Sequence, residues 1–215
     1  MKISSPIFNR REEIFLLFAK RFAYNRARLW YLTAMRTIIL YQSKTGNTQK
    51  YAEDIAAALK CEAMPIKKFK KKTLSDYDTI IFGGRIVGGR IDKVEDFLSM
   101  YDDMKEKNVI IYSVGMSETS PEGRKTLIQS NLLDLFHVRY YQLRGSFDFE
   151  KLGFVEKMLL NNSFRMAARS GQNGLDSTTA NWIKEHPVQF YDQAGVDKII
   201  SIVRKLQTVV DVEVA

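Results

Sequence analysis

Three apolar runs, each ending in a turn of small and hydroxyl-bearing residues, set the rhythm of the chain. Ile38-Ile39-Leu40-Tyr41 leads into Gln42-Ser43-Lys44-Thr45-Gly46-Asn47-Thr48, Tyr77-Asp78-Thr79-Ile80-Ile81-Phe82 into Gly83-Gly84, and Asn108-Val109-Ile110-Ile111-Tyr112 into Ser113-Val114-Gly115-Met116. A strand buried on both faces reads as an unbroken apolar run, as in a parallel sheet covered by helices. The covering helices show in the spacing that follows. Tyr51, Ala52, Ile55, Ala56 and Leu59 recur at helical intervals, as do Val94, Phe97, Leu98 and Tyr101. Ser120-Pro121 opens a further helix, with serine as cap and proline in the first turn. Cys61 to Ile66 is a shorter run broken by Pro65, which predicts an edge strand. Val138-Arg139-Tyr140-Tyr141-Gln142-Leu143 is the fifth expected strand. Repeated strand–helix units predict an α/β fold, a doubly wound parallel sheet with helices on both faces and its ligand edge at the carboxyl ends of the strands.

Residues 145–186 break the repeat and form an insert associated with the last strand. Leu152, Val155, Met158, Leu159 and Leu160 are amphipathic, and a polar, glycine-containing stretch follows Asn161-Asn162-Ser163. The expectation is a layer covering the sheet, with a flap or docking surface near the ligand edge as the alternative. Pro187-Val188-Gln189-Phe190-Tyr191 resumes a strand pattern, and Asp192 can cap a closing helix with its stripe at Val196, Ile199, Ile200, Val203 and Leu206. The domain so defined runs over residues 35–206, with a tail at 207–215. Residues 1–34 read as a basic extension. Its apolar patch Ile14-Phe15-Leu16-Leu17-Phe18-Ala19 is too short to span a bilayer, and Met35 stands where such a domain would naturally begin. A basic amphipathic arm touching anionic lipid is the rival reading.

Charge changes the picture only when it is divided. The net charge is +8, but residues 1–34 hold +5 of it, so a broad basic face for nucleic acid on the domain is not implied. The single cysteine, Cys61, precludes an internal disulfide and points to a reducing, cytoplasmic setting. His137 and His186 are isolated, no cluster has metal-ligand spacing, and no Gly-x-Ser-x-Gly nucleophile motif occurs. No catalytic acid–base residue or metal site is assigned.

The turn after the first strand carries the chemistry. A strand followed at once by a helix leaves the helix's first N–H groups aimed at one point, where the dipole also favours an anion. Ser43, Thr45 and Thr48 add hydroxyl donors, and Gly46 lets the backbone approach closely. A plain helix cap by Thr48 or Asn47 is the alternative. The stretch Gly84-Arg85-Ile86-Val87-Gly88-Gly89-Arg90 reads as a glycine-rich loop that can lie against a flat ligand, or as a simple connection.

Ser43-Lys44-Thr45-Gly46-Asn47-Thr48 after a strand, with glycine-rich strand ends behind it, resembles the flavodoxin-like FMN-binding domain family over residues 35–206. The resemblance implies a five-stranded sheet of order 2-1-3-4-5 and FMN as cofactor. It implies that Ser43, Thr45, Gly46, Asn47 and Thr48 hold the FMN phosphate, with Lys44 projecting from the same turn, Gly84, Arg85, Ile86, Val87 and Gly88 on one side of the ring and Ser113, Val114, Gly115 and Met116 on the other. The usual aromatic stackers are missing from those walls, so the expectation is flavin binding that is either weaker or differently built, with an aromatic such as Phe147 arriving from elsewhere. Leu143-Arg144-Gly145-Ser146-Phe147-Asp148 leading into Lys151-Leu152-Gly153-Phe154 is similar to the branch containing the menaquinone-dependent protoporphyrinogen oxidases. The expected function is an FMN-dependent oxidoreductase or electron-transfer protein, with a redox partner or a quinone or porphyrinogen substrate. It is expected to be cytoplasmic, with peripheral contact at the inner face of the membrane as a further option. The narrower alternative is a protoporphyrinogen IX dehydrogenase passing electrons to menaquinone, and the alternative from another class is an FMN-free interaction module. Arg85 or Arg90, if they face the ring, would make the flavin an easier electron acceptor.

Overall fold

The first apolar run becomes β1 (Thr37–Gln42), whose Ile38, Ile39 and Leu40 lose all contact with solvent because both faces of the strand are covered. The computed structural model describes residues 35–116, 120–170, 181–182 and 184–213, so the extension at 1–34 and its lipid reading lie outside the described residues. The remaining strands are β2 (Glu62–Pro65), β3 (Thr79–Val87), β4 (Arg90–Ile91), β5 (Asn108–Gly115), β6 (Arg139–Phe147) and β7 (Val188–Tyr191). The helices are α1 (Asn47–Leu59), α2 (Val94–Leu98), α3 (Pro121–Ser130), α4 (Phe154–Ser170) and α5 (Gln193–Glu213), and residues 36–206 form one compact unit.

The sheet order is β2-β1-β3-β5-β6-β7, with β4 paired to β3 alone. Along the path β2-β1-β3-β5-β6 every pairing is parallel, which is the expected 2-1-3-4-5 arrangement, while β4 pairs antiparallel with β3 and β7 adds an antiparallel edge beside β6. Pro65 sits where its missing amide costs nothing, at the end of edge strand β2 opposite Tyr41. The insert departs from its expected limits. β6 runs on to Phe147, so Gly145, Ser146 and Phe147 belong to the sheet, and the chain returns through α4 to pair Val188 with Phe147.

Alternation along the strands sorts the core into two layers. Ile38, Leu40, Ile80, Phe82, Val109 and Ile111 pack with Phe97 of α2, Leu127 of α3 and their neighbours Met104 and Leu133. Ile39, Tyr41, Ile81, Ile110, Tyr112 and Val114 face the other way, against Tyr51 and Ile55 of α1 and Val196, Ile199 and Val203 of α5. Full burial of each such side chain is worth about 1.5–3 kcal/mol, so the centre of the sheet is the most strongly held part of the unit. Both predicted caps form: Ser120 Oγ accepts from the Gly123 N–H at 3.0 Å, and Asp192 Oδ1 from the Gly195 N–H at 2.9 Å. Among the described residues no helix is long and apolar enough to cross a membrane.

Candidate functional site

Strand order reverses between β1 and β3, since β1 sends its chain on toward β2 and β3 toward β5. That reversal opens a crevice at the carboxyl ends of the parallel strands. A cavity of about 650 Å³ occupies it. Its floor is the turn from β1 into α1, where Thr45, Asn47 and Thr48 line the space. The rival capping role for Asn47 or Thr48 is not what forms. α1 starts from Gly46, which has φ 89°, and receives no side-chain cap. Asn47 is turned instead toward β6, where its Nδ2 donates to the Ser146 carbonyl, and Thr48 is buried in the first turn. The uncapped N-terminus therefore keeps its amides for another acceptor. Ser43 Oγ is buried in the same turn with no hydrogen-bond partner among the described residues. Lys44 and Gly46 are exposed.

The first side wall is Arg85, Ile86, Val87 and Gly88. The stretch expected to be a glycine-rich loop is not loose. β3 continues through it to Val87 and turns back as β4 over Gly88 and Gly89, with φ 56° and 77°. Two consecutive residues at positive φ make the tight two-residue turn whose twist suits paired strands, and glycine adopts that turn without strain. Gly84 is buried under this hairpin and does not line the cavity. Arg85 does line it, but its Nε lies 2.9 Å from Asp92 Oδ2. Arg90 points away, toward the Ser130 carbonyl and Glu95.

Val114, Gly115 and Met116 form the opposite wall. A Cβ on Gly115 would stand 2.7 Å from Ile86 Cδ1, so glycine is what lets the two walls meet at their base. Ser113, the fourth residue expected there, is fully buried in the sheet and shares a 2.6 Å hydrogen bond with the Tyr140 hydroxyl.

The roof could not be assigned from local pattern. Phe147, at the end of β6, arrives at the cavity as the aromatic that the walls lack, and Lys151, Leu152, Leu159 and Leu160 join it from the insert. The N-terminal part of α3 contributes Ser120, Gly123 and Thr126. The one signal for the roof in the sequence is the amphipathic run from Leu152 to Leu160, which fits a cover for the site as well as a cover for the sheet. The remaining reactive side chains lie elsewhere. Cys61 precedes β2 at the opposite edge of the sheet, and burial pushes its thiol up to about 11. His137 stands just before β6 at that same edge, and the His186 ring stacks on Trp182. No group of acidic, histidine or cysteine side chains among the described residues is built to hold a metal.

A doubly wound sheet with a cavity at its switch point, beside an uncapped helix N-terminus, is the arrangement of a cofactor-binding domain. The flavodoxin domain family model matches residues 38–173, and the chain belongs to that family. A flavodoxin from Maridesulfovibrio salexigens is 30% identical over 95 residues, covering 39% of this chain and 65% of that protein, so the match spans a little under two thirds of its length. Among solved structures, a WrbA-like flavodoxin from Agrobacterium tumefaciens has 16% identity and a TM-score of 0.42, covering 71% of this chain and 99% of its own. Megasphaera elsdenii flavodoxin has 20% identity and a TM-score of 0.39, covering 49% of this chain and 84% of its own. The flavodoxin fold is an FMN-binding fold, with the cofactor at the switch point between the first and third strands.

Proposed function

We propose that this chain binds FMN in the cavity and serves as an oxidoreductase or electron-transfer protein. The observation that carries the reading is the turn from Ser43 to Thr48. It offers a buried, unpartnered hydroxyl, an uncapped helix N-terminus and the cavity-lining Thr45, Asn47 and Thr48 in one place. That donor set suits a phosphate monoester, which needs several hydrogen bonds on one centre. Ser43, Lys44, Thr45, Gly46, Asn47 and Thr48 hold the phosphate, and Ile86–Gly88 and Val114–Met116 flank the ring. Phe147 and the leucines of the insert exclude water from it. FMN itself supplies the electron chemistry, and the protein supplies orientation and electrostatics. Titrating the purified protein into FMN is expected to quench the flavin fluorescence with one-to-one saturation, and riboflavin, lacking the phosphate, to bind at least about tenfold more weakly. An absence of quenching at micromolar protein would leave the third possibility, an interaction module without FMN.

A narrower reading is favoured by the roof. Phe147, Leu152, Leu159 and Leu160 add apolar surface to the cavity, which suits an apolar redox partner such as a quinone entering beside the ring. A protoporphyrinogen dehydrogenase delivering electrons to menaquinone is the reaction of that kind. It predicts that the FMN-loaded protein oxidises protoporphyrinogen with a menaquinone analogue as acceptor, and inertness toward both returns the assignment to general electron transfer.

A further inference from the structure

The β3 wall of the cavity carries a cation that the fold places beside a carboxylate. Arg85 Nε donates to Asp92 Oδ2 at 2.9 Å, with the two side chains 21% and 24% exposed. The backbone closes the same ring from within: the Asp92 N–H donates to the Arg85 carbonyl at 2.9 Å, across the neck of the β3–β4 hairpin. Gly84 permits that closure, since a Cβ there would stand 2.4 Å from Ile91 Cγ2 and 3.0 Å from the Asp92 carbonyl oxygen. Arg85 lines the cavity and Asp92 does not. A pair this shielded is screened less by salt than a surface pair, and its short hairpin leaves neither side chain far to wander.

We infer that Asp92 is a positioning residue of the flavin site: it holds the Arg85 guanidinium against the Ile86–Gly88 wall and offsets its charge there. The inference rests on the FMN reading above. The ring then meets a compensated pair and not a bare cation, which offsets the effect expected of Arg85 as an isolated charge. Reduced flavin readily carries negative charge that the oxidised ring lacks, so the net charge of the wall acts mainly on the reduced state. Asp92 thereby keeps the FMN potential lower than the arginine alone would set it.

The test is a spectroelectrochemical titration of the FMN-loaded protein, which reads the ratio of affinities for reduced and oxidised FMN. Asp92→Asn keeps an acceptor oxygen but removes the charge, and is expected to raise that ratio on the order of tenfold. Arg85→Gln is expected to shift it the opposite way, and the double variant to return within about twofold of wild type. Asp92→Glu should rescue the wild-type potential. Asp103→Asn provides the control: it removes an equal charge from the ion pair with Lys71, ahead of β5 and thus away from the carboxyl edge. A potential in Asp92→Asn no higher than in Asp103→Asn overturns the inference. Should the asparagine variant melt early, an unshifted potential in Arg85→Gln overturns it equally. A wild type that takes up no FMN sinks the cofactor reading itself, a result separable from either.

Discussion

The centre of the sheet and the insert build one cavity by opposite means. β1, β3 and β5 are covered on both faces, and their side chains Ile39, Phe82 and Ile110 have no access to solvent. The turns they present to the cavity are therefore held from beneath. Tyr112 shows how: its ring passes under Gly83, where a Cβ would lie 2.1 Å from Cζ, and its hydroxyl reaches the Thr48 carbonyl at 3.3 Å. Among the described residues the insert is less covered on its outer side. On α4 Phe164 is buried, while Phe154 is 84% and Met166 71% exposed. What ties this region down is a polar latch at β7. Tyr191 stacks on Tyr51 with ring centroids 4.6 Å apart and donates to Asp54 at 2.7 Å, and the Tyr51 hydroxyl accepts from the Asp192 N–H at 2.6 Å. Floor and walls thus draw their precision from apolar packing, and the edge strand that follows the insert draws its placement from a few directed bonds.

That contrast can be broken at either end. The largest effect is expected at the centre, where Phe82→Ala should cost about 3–5 kcal/mol in urea denaturation, because the cavity it leaves between β3 and the stacked Phe97 ring cannot collapse. Next come the donors of the turn. Ser43→Ala should weaken FMN binding about tenfold or more and leave riboflavin unchanged, since a hydrogen bond to a charged group is worth about 1.5–3 kcal/mol. Equal losses for both ligands would mean that the hydroxyl is not on the phosphate. Gly46→Ala meets open space but a φ of 89°, so a stability loss of about 1–2 kcal/mol would come from backbone strain alone.

The latch is expected to be weaker and to depend on pH. Tyr191→Phe removes one hydrogen bond and should cost about 1 kcal/mol. Burial, reinforced by the Asp54 carboxylate, raises the Tyr191 phenol above its ordinary 10.0. The neutral phenol is thus favoured in the fold: its contribution is complete below pH 10.0 and is lost as pH rises through the folded-state value. Wild type should therefore lose stability above pH 10 more steeply than Tyr191→Phe, and parallel curves would sink the latch. The smallest effect belongs to the outer face of α4, where Phe154→Ser should change stability by less than about 0.5 kcal/mol. A larger loss there would show that α4 is packed more deeply than its exposure indicates.

Much of this protein was determined by local sequence. Short unbroken apolar runs, each ending in a turn and followed by a helical stripe, fit strands covered on both faces, so a parallel sheet with helices on both sides and the turn from Ser43 to Thr48 were legible from residues 37–48, 77–84 and 108–116, whereas the strand order rested on the family resemblance. The caps at Ser120 and Asp192 were legible for the same reason, since each acts within three residues of itself. Tertiary structure decided what depends on distant neighbours. Ser113 and Val114 differ by one step along a strand, yet alternation against Tyr140 sends the first into the core and leaves the second on the cavity. Gly84 to Arg90 reads as a glycine-rich loop or connection because its glycines are abundant, and only pairing of Ile86 with Ile91 makes it a hairpin that presents Arg85 together with Asp92. Phe147 reaches the switch point because β6 lies two strands away from β3, a proximity that no spacing along the chain encodes. Local pattern specifies how a segment is covered, whereas the company its polar and aromatic side chains keep is set by the order in which the strands assemble.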